Sequence, residues 1–317
     1  MPVWICKTCG AHFAPSDAPP SRCAICEDER QYVPEGGQEW FEREALATTH
    51  RNEWNELEPN LIGIGVSPAI GIGQRALLVL SPDGNVLWDC TAILDRKTRD
   101  RILELGGLKA ICLSHPHFYT GMVEWSEALG GVPILLHEVD LAHVTRPSES
   151  IHPWQGDRHE VLPGIVLHRL GGHFEGSSVL EWQAGADEKG ALLVGDTIQV
   201  VADREWVSFM YSSPTRSLCR HARFAALQTA LRKYTSIVSM VLGVTSSYLA
   251  MQSTASLVLL SATSDCSNRR AVTRGKALRG MTGYNLERFA VGRNFEGAFC
   301  PRTALPQTGV RDLARRS

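Results

Sequence analysis

Two histidines one residue apart, His115 and His117, stand where an apolar run ends in "ICLSHPHFYTGMVEW" (111–125). In extended chain, positions two apart point the same way, so this spacing predicts two imidazoles presented to one ion. His173 follows a glycine pair in "RLGGHFEGSSVL", where the backbone is free to approach a metal or substrate closely. Asp196 ends the apolar run in "ALLVGDTIQ", which places a carboxylate at the edge of a sheet. Three imidazoles and a carboxylate from three strand ends make a hydrolytic metal site. His115, His117 and His173 hold the ion, a fourth position remains for water, and Asp196 is a fourth ligand or orients that water. Tyr119 is a candidate catalytic donor to a developing oxyanion or leaving group, and the alternative is an aromatic that fills space.

A second set of ligands lies near the N-terminus. "CKTCG" and "CAICE" place Cys6, Cys9, Cys23 and Cys26 as C-x2-C-x13-C-x2-C. Four thiolates on two knuckles suit a closed tetrahedral structural zinc, with iron as the alternative ion. The segment resembles a small zinc ribbon or a rubredoxin. A segment of about 30 residues has too little core to fold alone, so the metal supplies its stability. His12, between the knuckles, is expected at the surface.

The elements that must position these groups follow from hydrophobic pattern. Residues 75–80 and 85–90 read as two strands joined by Ser-Pro-Asp-Gly, which is hairpin chemistry. "ILDRKTRDRILELGG" reads as a helix stopped by glycine. "LKAICLSH" is a buried strand, "GMVEWSEALGG" a helix and "VPILLHEVD" a strand, and "GIVLHRLGGH", "SVLEWQ" and "GALLVGDTI" are further strands. A hairpin followed by strands alternating with helices predicts a layered α/β domain. The expected organisation is a four-cysteine ribbon over 1–33, a linker over 34–59, the main domain over 60–234 and an atypical region over 235–317. "GIGVSPAIGIG" (63–73) reads as a flexible loop or strand, since no helix follows to make it a nucleotide loop.

Taken together, "LWDC" with Asp89, "SHPH", "GGHFEGS" and "VGDT" resemble the metallo-β-lactamase-fold superfamily over roughly residues 60–210, and "HPHFY" resembles an uncharacterised subgroup of it. The resemblance implies an αββα sandwich, a metal-dependent activity and a supporting role for Asp89 by hydrogen bonds. It also marks departures. The superfamily's HxHxDH pattern places Asp and His at 119 and 120, where this chain has Tyr119 and Thr120, and no histidine occurs from 222 to 317. The ligands of a second metal are therefore missing, and the resemblance implies a mononuclear site.

The chain has 317 residues, with 32 Lys and Arg against 34 Asp and Glu, so net charge favours no class of partner. From Asp265 onward there are eleven Lys and Arg against four Asp and Glu. Without a basic face interleaved with aromatics in the main domain, nucleic acid is not the expected partner. The N-terminus lacks the basic and apolar regions of a secretory signal. The charge-free stretch 235–264 is interrupted throughout by Ser and Thr, unlike a membrane span. Nine cysteines, four of them in CxxC pairs, predict metal binding in a reducing compartment, hence a cytoplasmic protein. The break in composition after about residue 235, and the absence of recognisable closing elements, predict a poorly packed tail with an altered splice or reading frame as its origin.

The expected function is a zinc-dependent hydrolase acting on an ester-, thioester- or lactone-like small molecule. The alternative is a degenerate domain of the same fold that binds metal or ligand, and a redox protein is the third reading. Oligomeric state is not legible.

Overall fold

The computed structural model describes residues 1–200 and the short segments 206–208, 257–258 and 289–290. Its centre is a seven-stranded mixed sheet. Strands β3 (Arg51–Glu58), β4 (Leu61–Ser67), β5 (Ala76–Val79) and β6 (Val86–Trp88) form an antiparallel meander. Strands β7 (Ala110–Cys112), β8 (Ile134–His137) and β9 (Ile151–Trp154) then add in parallel beside β6. Every residue of β5, β6 and β7 is buried, the continuous apolar texture of strands covered on both faces.

Helices α2 (Arg96–Glu104) and α3 (Met122–Ala128) make the crossovers between parallel strands. They cover one face of the sheet, where Ile102, Met122, Val123 and Trp125 pack with Leu78, Leu87, Ile111 and Ile134. The other face packs on a second sheet built from β10 (Arg158–Leu162), β11 (Ile165–Arg169), β12 (Ser178–Trp182) and β13 (Ala191–Val194), all antiparallel neighbours. Leu77, Val79, Trp88 and Cys112 meet Ile165, Leu167, Leu180, Trp182 and Leu193 across this interface. Leu257–Val258 extends the second sheet beside β13. The fold is the expected metallo-β-lactamase-like layering, and the described residues build a helix layer and both sheets of it.

The N-terminal segment is tied to this body. Strand β1 (Trp4–Cys6) pairs with β2 (Trp40–Glu42), so the cysteine-rich unit reaches beyond residue 33. The segment 34–59, expected as a linker, carries β2, α1 (Arg43–Thr49) and β3. Strand β3 is hidden from pattern reading because it is the edge of its sheet and only Asn52 and Leu57 of its eight residues are buried. No described helix is long and apolar enough to cross a membrane. The stretch 235–264 and the atypical region 235–317 lie outside the described residues, apart from the two short strand segments they contain.

Candidate metal centre

The parallel strands deliver the site at their carboxyl ends, where an open α/β sheet leaves a crevice. Asp89 follows β6, and Ser114 and His115 follow β7. His115 is extended, at φ −172 and ψ 172, but His117 lies in a 3-10 turn, Pro116–Phe118, rather than in continuing strand. The turn swings the second imidazole round beside the first, with ring centroids 5.2 Å apart. Strands β11 and β12 form a hairpin whose loop carries His173, and Asp196 follows β13. The backbone N–H of Ser178, at the start of β12, donates to the Ser114 carbonyl at 2.9 Å and so locks the two sheets together at the site.

His115, His117, His173 and Asp196 converge as a group whose ligand atoms all lie within 4.8 Å of one another. His117 Nδ1 is 3.3 Å from His173 Nε2. Asp196 Oδ2 is 3.4 Å from His115 Nε2, 3.7 Å from His117 Nδ1 and 3.9 Å from His173 Nε2. An ion with four bonds of about 2.0–2.1 Å has ligands about 3.3 Å apart, so the cluster needs little contraction to hold one. All four side chains are at most 1% exposed. His115 Nε2 and both Asp196 oxygens are buried without a hydrogen-bond partner among the described residues. Buried polar atoms left in this state are costly, and an ion between them removes the cost.

Electrostatics agree with this geometry. Burial pushes the His115 and His173 pKa values down, which keeps both imidazoles neutral and able to ligate. Burial opposes the charge of Asp196, but contacts with His115 and His117 outweigh it and hold the carboxyl below its ordinary value. Asp89 supports the site from behind. Its Oδ1 accepts from the Ser114 backbone N–H at 2.7 Å and its Oδ2 from the Ser114 hydroxyl at 3.0 Å. The same hydroxyl lies 2.8 Å from His115 Nδ1, so Ser114 relays Asp89 to the imidazole and fixes its orientation. Burial pushes the Asp89 pKa up to about 8. Gly195 closes over this relay. A Cβ there would come 2.6 Å from Ser114 Oγ and 2.8 Å from His115 Nδ1, so no other residue fits without displacing the histidine.

Tyr119 is not part of the cluster. It is 4% exposed and packs in the apolar layer with Met122, Val123 and Leu78. Burial and the carboxylates of Asp140 and Asp89 push its pKa up. Thr120 is likewise buried. These two positions fill with packing the place where the superfamily pattern calls for ligands. His12 is a correction to a surface expectation. It is 2% exposed, with Nε2 2.7 Å from the Ala92 carbonyl and Nδ1 2.8 Å from Glu124. His168 is buried on β11 with Nε2 2.7 Å from Glu181.

The four cysteines form a second compact group. Cys6 and Cys26 sulfurs are 3.5 Å apart and those of Cys9 and Cys23 3.6 Å, near the edge of about 3.8 Å for a tetrahedron with metal–sulfur bonds of about 2.3 Å. The Cys9 N–H and the Gln38 side-chain amide both donate to Cys6 Sγ, at 3.4 and 2.9 Å. The neighbouring thiols Cys23, Cys26 and Cys9 favour a thiolate on Cys6, whose pKa falls, while the same contacts push Cys9 up.

Sequence reasoning missed Ser114, which stands next to a ligand in "LSHPH" and could have been noticed there. It also missed Gln74, Arg30 and Phe174, which touch the site through main-chain carbonyls and ring faces and leave no motif.

No family model matches the chain. Solved structures with a similar chain path over part of the molecule include VMB-1 at pH 5.5 (15% identity, 58% of this chain and 84% of that one, TM-score 0.44). Another is the DIM-1 metallo-β-lactamase exposed to ceftazidime (13%, 59% and 85%, TM-score 0.44), and a third is TTHA1623 in a di-iron-bound form (22%, 52% and 83%, TM-score 0.38). A relative at the level of sequence is the uncharacterized protein YmaE of Bacillus subtilis strain 168, 50% identical over 216 residues that make up 68% of this chain and 78% of that protein. With that identity sustained over more than three quarters of the relative, the chain belongs to the family of YmaE.

Proposed function

We propose that this protein is a hydrolase that uses one zinc ion, held by His115, His117 and His173, against a small ester-, thioester- or lactone-like substrate. A second zinc in the four-cysteine group serves structure. The observation that carries the reading is the convergence of three nitrogens and one carboxylate oxygen, buried and with orphaned polar atoms, at the carboxyl ends of the strands. Zinc in such a place supplies Lewis-acid activation of water near neutral pH.

The chain's own residues do the rest. Burial keeps His115 and His173 neutral and therefore available as ligands. Asp89, through Ser114, fixes the rotation of His115. Asp196 stays ionised beside the imidazoles and offers an oxygen as a fourth ligand or to orient a water molecule. Burial of the Tyr119 ring in the apolar layer supports the space-filling role over that of a catalytic donor. The working domain is the sandwich that begins with β3, the cysteine segment is its attachment, and "HPHFY" is the mark of its subgroup. Four thiol ligands are suited to a reducing compartment, which supports a cytoplasmic location.

The test is a screen of the zinc-loaded protein on aryl esters, thioesters and lactones. The expected result is turnover that His173→Ala and Asp196→Asn reduce by at least about 100-fold and that chelation removes and zinc restores. Turnover surviving His173→Ala would contradict the reading.

One observation favours a second reading, a non-catalytic metal-binding module. All four ligands are fully buried, as in a closed structural site where Asp196 completes the tetrahedron. Metal uptake without turnover on any substrate class would support it.

A further inference from the structure

We propose that the cysteine segment sets the metal affinity of the histidine centre, with Gln74 and Arg30 as the positioning residues that carry the coupling. The proposal rests on the reading of both groups as metal sites.

Two buried side chains join the cysteine knuckles to the main chain of two of the three histidine ligands. The Gln74 amide, on the loop between β4 and β5, gives one N–H to the Cys9 carbonyl at 2.7 Å and the other to the His117 carbonyl at 2.9 Å. It is 3% exposed. The same loop presses backbone against backbone on the knuckle. A Cβ on Gly71 would stand 2.7 Å from the Cys9 carbonyl carbon and 2.7 Å from the Gly10 nitrogen, and its φ is +59.

Arg30, four residues beyond Cys26, donates through Nε to the His173 carbonyl at 2.7 Å. Asp28 holds its guanidinium at 2.7 Å. The guanidinium lies 4.3 Å over the Phe174 ring. That ring in turn stands 5.7 Å from the His115 ring and 5.0 Å from those of His117 and His173.

The third ligand, His115, is held from inside the sheet by Ser114 and Asp89. Gln74 and Arg30 thus tie the main chain of His117 and His173 to the cysteine segment. A segment this small keeps its shape only around its own ion. Arg30 belongs to that segment and Gln74 is oriented by the Cys9 carbonyl, so filling the cysteine site fixes both donors. Groups that orient ligands in this way are worth about 10- to 100-fold in metal affinity. By linkage, filling the histidine centre must tighten the cysteine site by the same factor.

The test uses the full chain and cobalt(II) as the probe, titrated against a competing chelator. The thiolate-to-cobalt charge-transfer band reports the cysteine site separately. Gln74→Met keeps the length of the side chain and removes both donors, and Arg30→Met removes the other link. Each variant is expected to keep the charge-transfer band and its circular dichroism while affinity for the second cobalt falls at least about 10-fold.

Affinity within about twofold of wild type in both variants overturns the coupling and leaves the metal centre standing. A wild type that takes up one cobalt, and keeps it in His115→Ala/His173→Ala, overturns the metal-centre reading itself and the coupling with it. If a variant fails to fold, the wild type decides. Stripping the cysteine site with a mercurial must speed chelator extraction of the remaining ion at least about 10-fold, and an unchanged rate overturns the proposal.

Discussion

Asp89 sits in left-handed backbone at φ 62 and spends both carboxylate oxygens on Ser114. Removing the carboxylate leaves a buried N–H and a buried hydroxyl without an acceptor and frees the His115 ring to turn. Asp89→Ala is therefore expected to lower unfolding free energy by about 1–3 kcal/mol and metal affinity about 10-fold or more, read by urea denaturation and by chelator competition. The histidines also carry a pH dependence. Burial depresses the folded pKa of His173 below 6.5. As pH falls through 6.5 the unfolded chain takes up a proton that the folded chain refuses, so ν_U exceeds ν_N and stability falls with pH. The metal-free wild type should lose about 1 kcal/mol more than metal-free His173→Ala between pH 6.5 and pH 5.5, measured by urea midpoints at each pH. Equal losses would show that the imidazole is not buried in the neutral form.

At the scale of elements, the site depends on how strand ends are set in place. Helix α2, which crosses from β6 to β7, begins at Asp95, whose side chain accepts from the Thr98 N–H at 2.7 Å. Asp95 also accepts from the Asn52 N–H at 2.7 Å, and Asn52 returns an acceptor to the Asp95 N–H at 2.8 Å. The cap therefore ties α2 to the edge strand β3. Asp95→Ala is expected to cost about 1–2 kcal/mol in thermal or urea unfolding, with little change in metal content. Legibility divides along the same lines. Strands β5, β6, β7, β8, β11, β12 and β13 were readable because each carries a run of apolar residues, and the ligands stood past the ends of β7, β11 and β13. Strand β3 was not, because an edge strand alternates charged residues with few buried ones. Tyr119 and His12 could not be placed from residue type alone. A phenol serves as donor or as core, and His12 is buried because its two ring nitrogens find Ala92 and Glu124, partners that only the fold brings near. Gln74 and Arg30 contact carbonyls, which every residue possesses, so no pattern announces them.

At the scale of the molecule, two buried ligand groups share one body. The cysteine segment is docked by Gln74, Arg30 and the Thr145 hydroxyl on the His12 carbonyl at 2.6 Å. Because an ion bound to the folded state alone stabilises it by mass action, chelation should lower the melting temperature of the wild type by several degrees and zinc should restore it. His115→Ala/His173→Ala should show only the part of that shift that belongs to the cysteine site. The central claim, that the histidines and Asp196 hold a metal, is tested most directly by elemental analysis of metal per chain in the wild type and in His115→Ala/His173→Ala. The wild type is expected to hold two ions and the variant one. One ion in both proteins would contradict it, because the histidine cluster would then be a packed set of neutral rings with no ion to activate water.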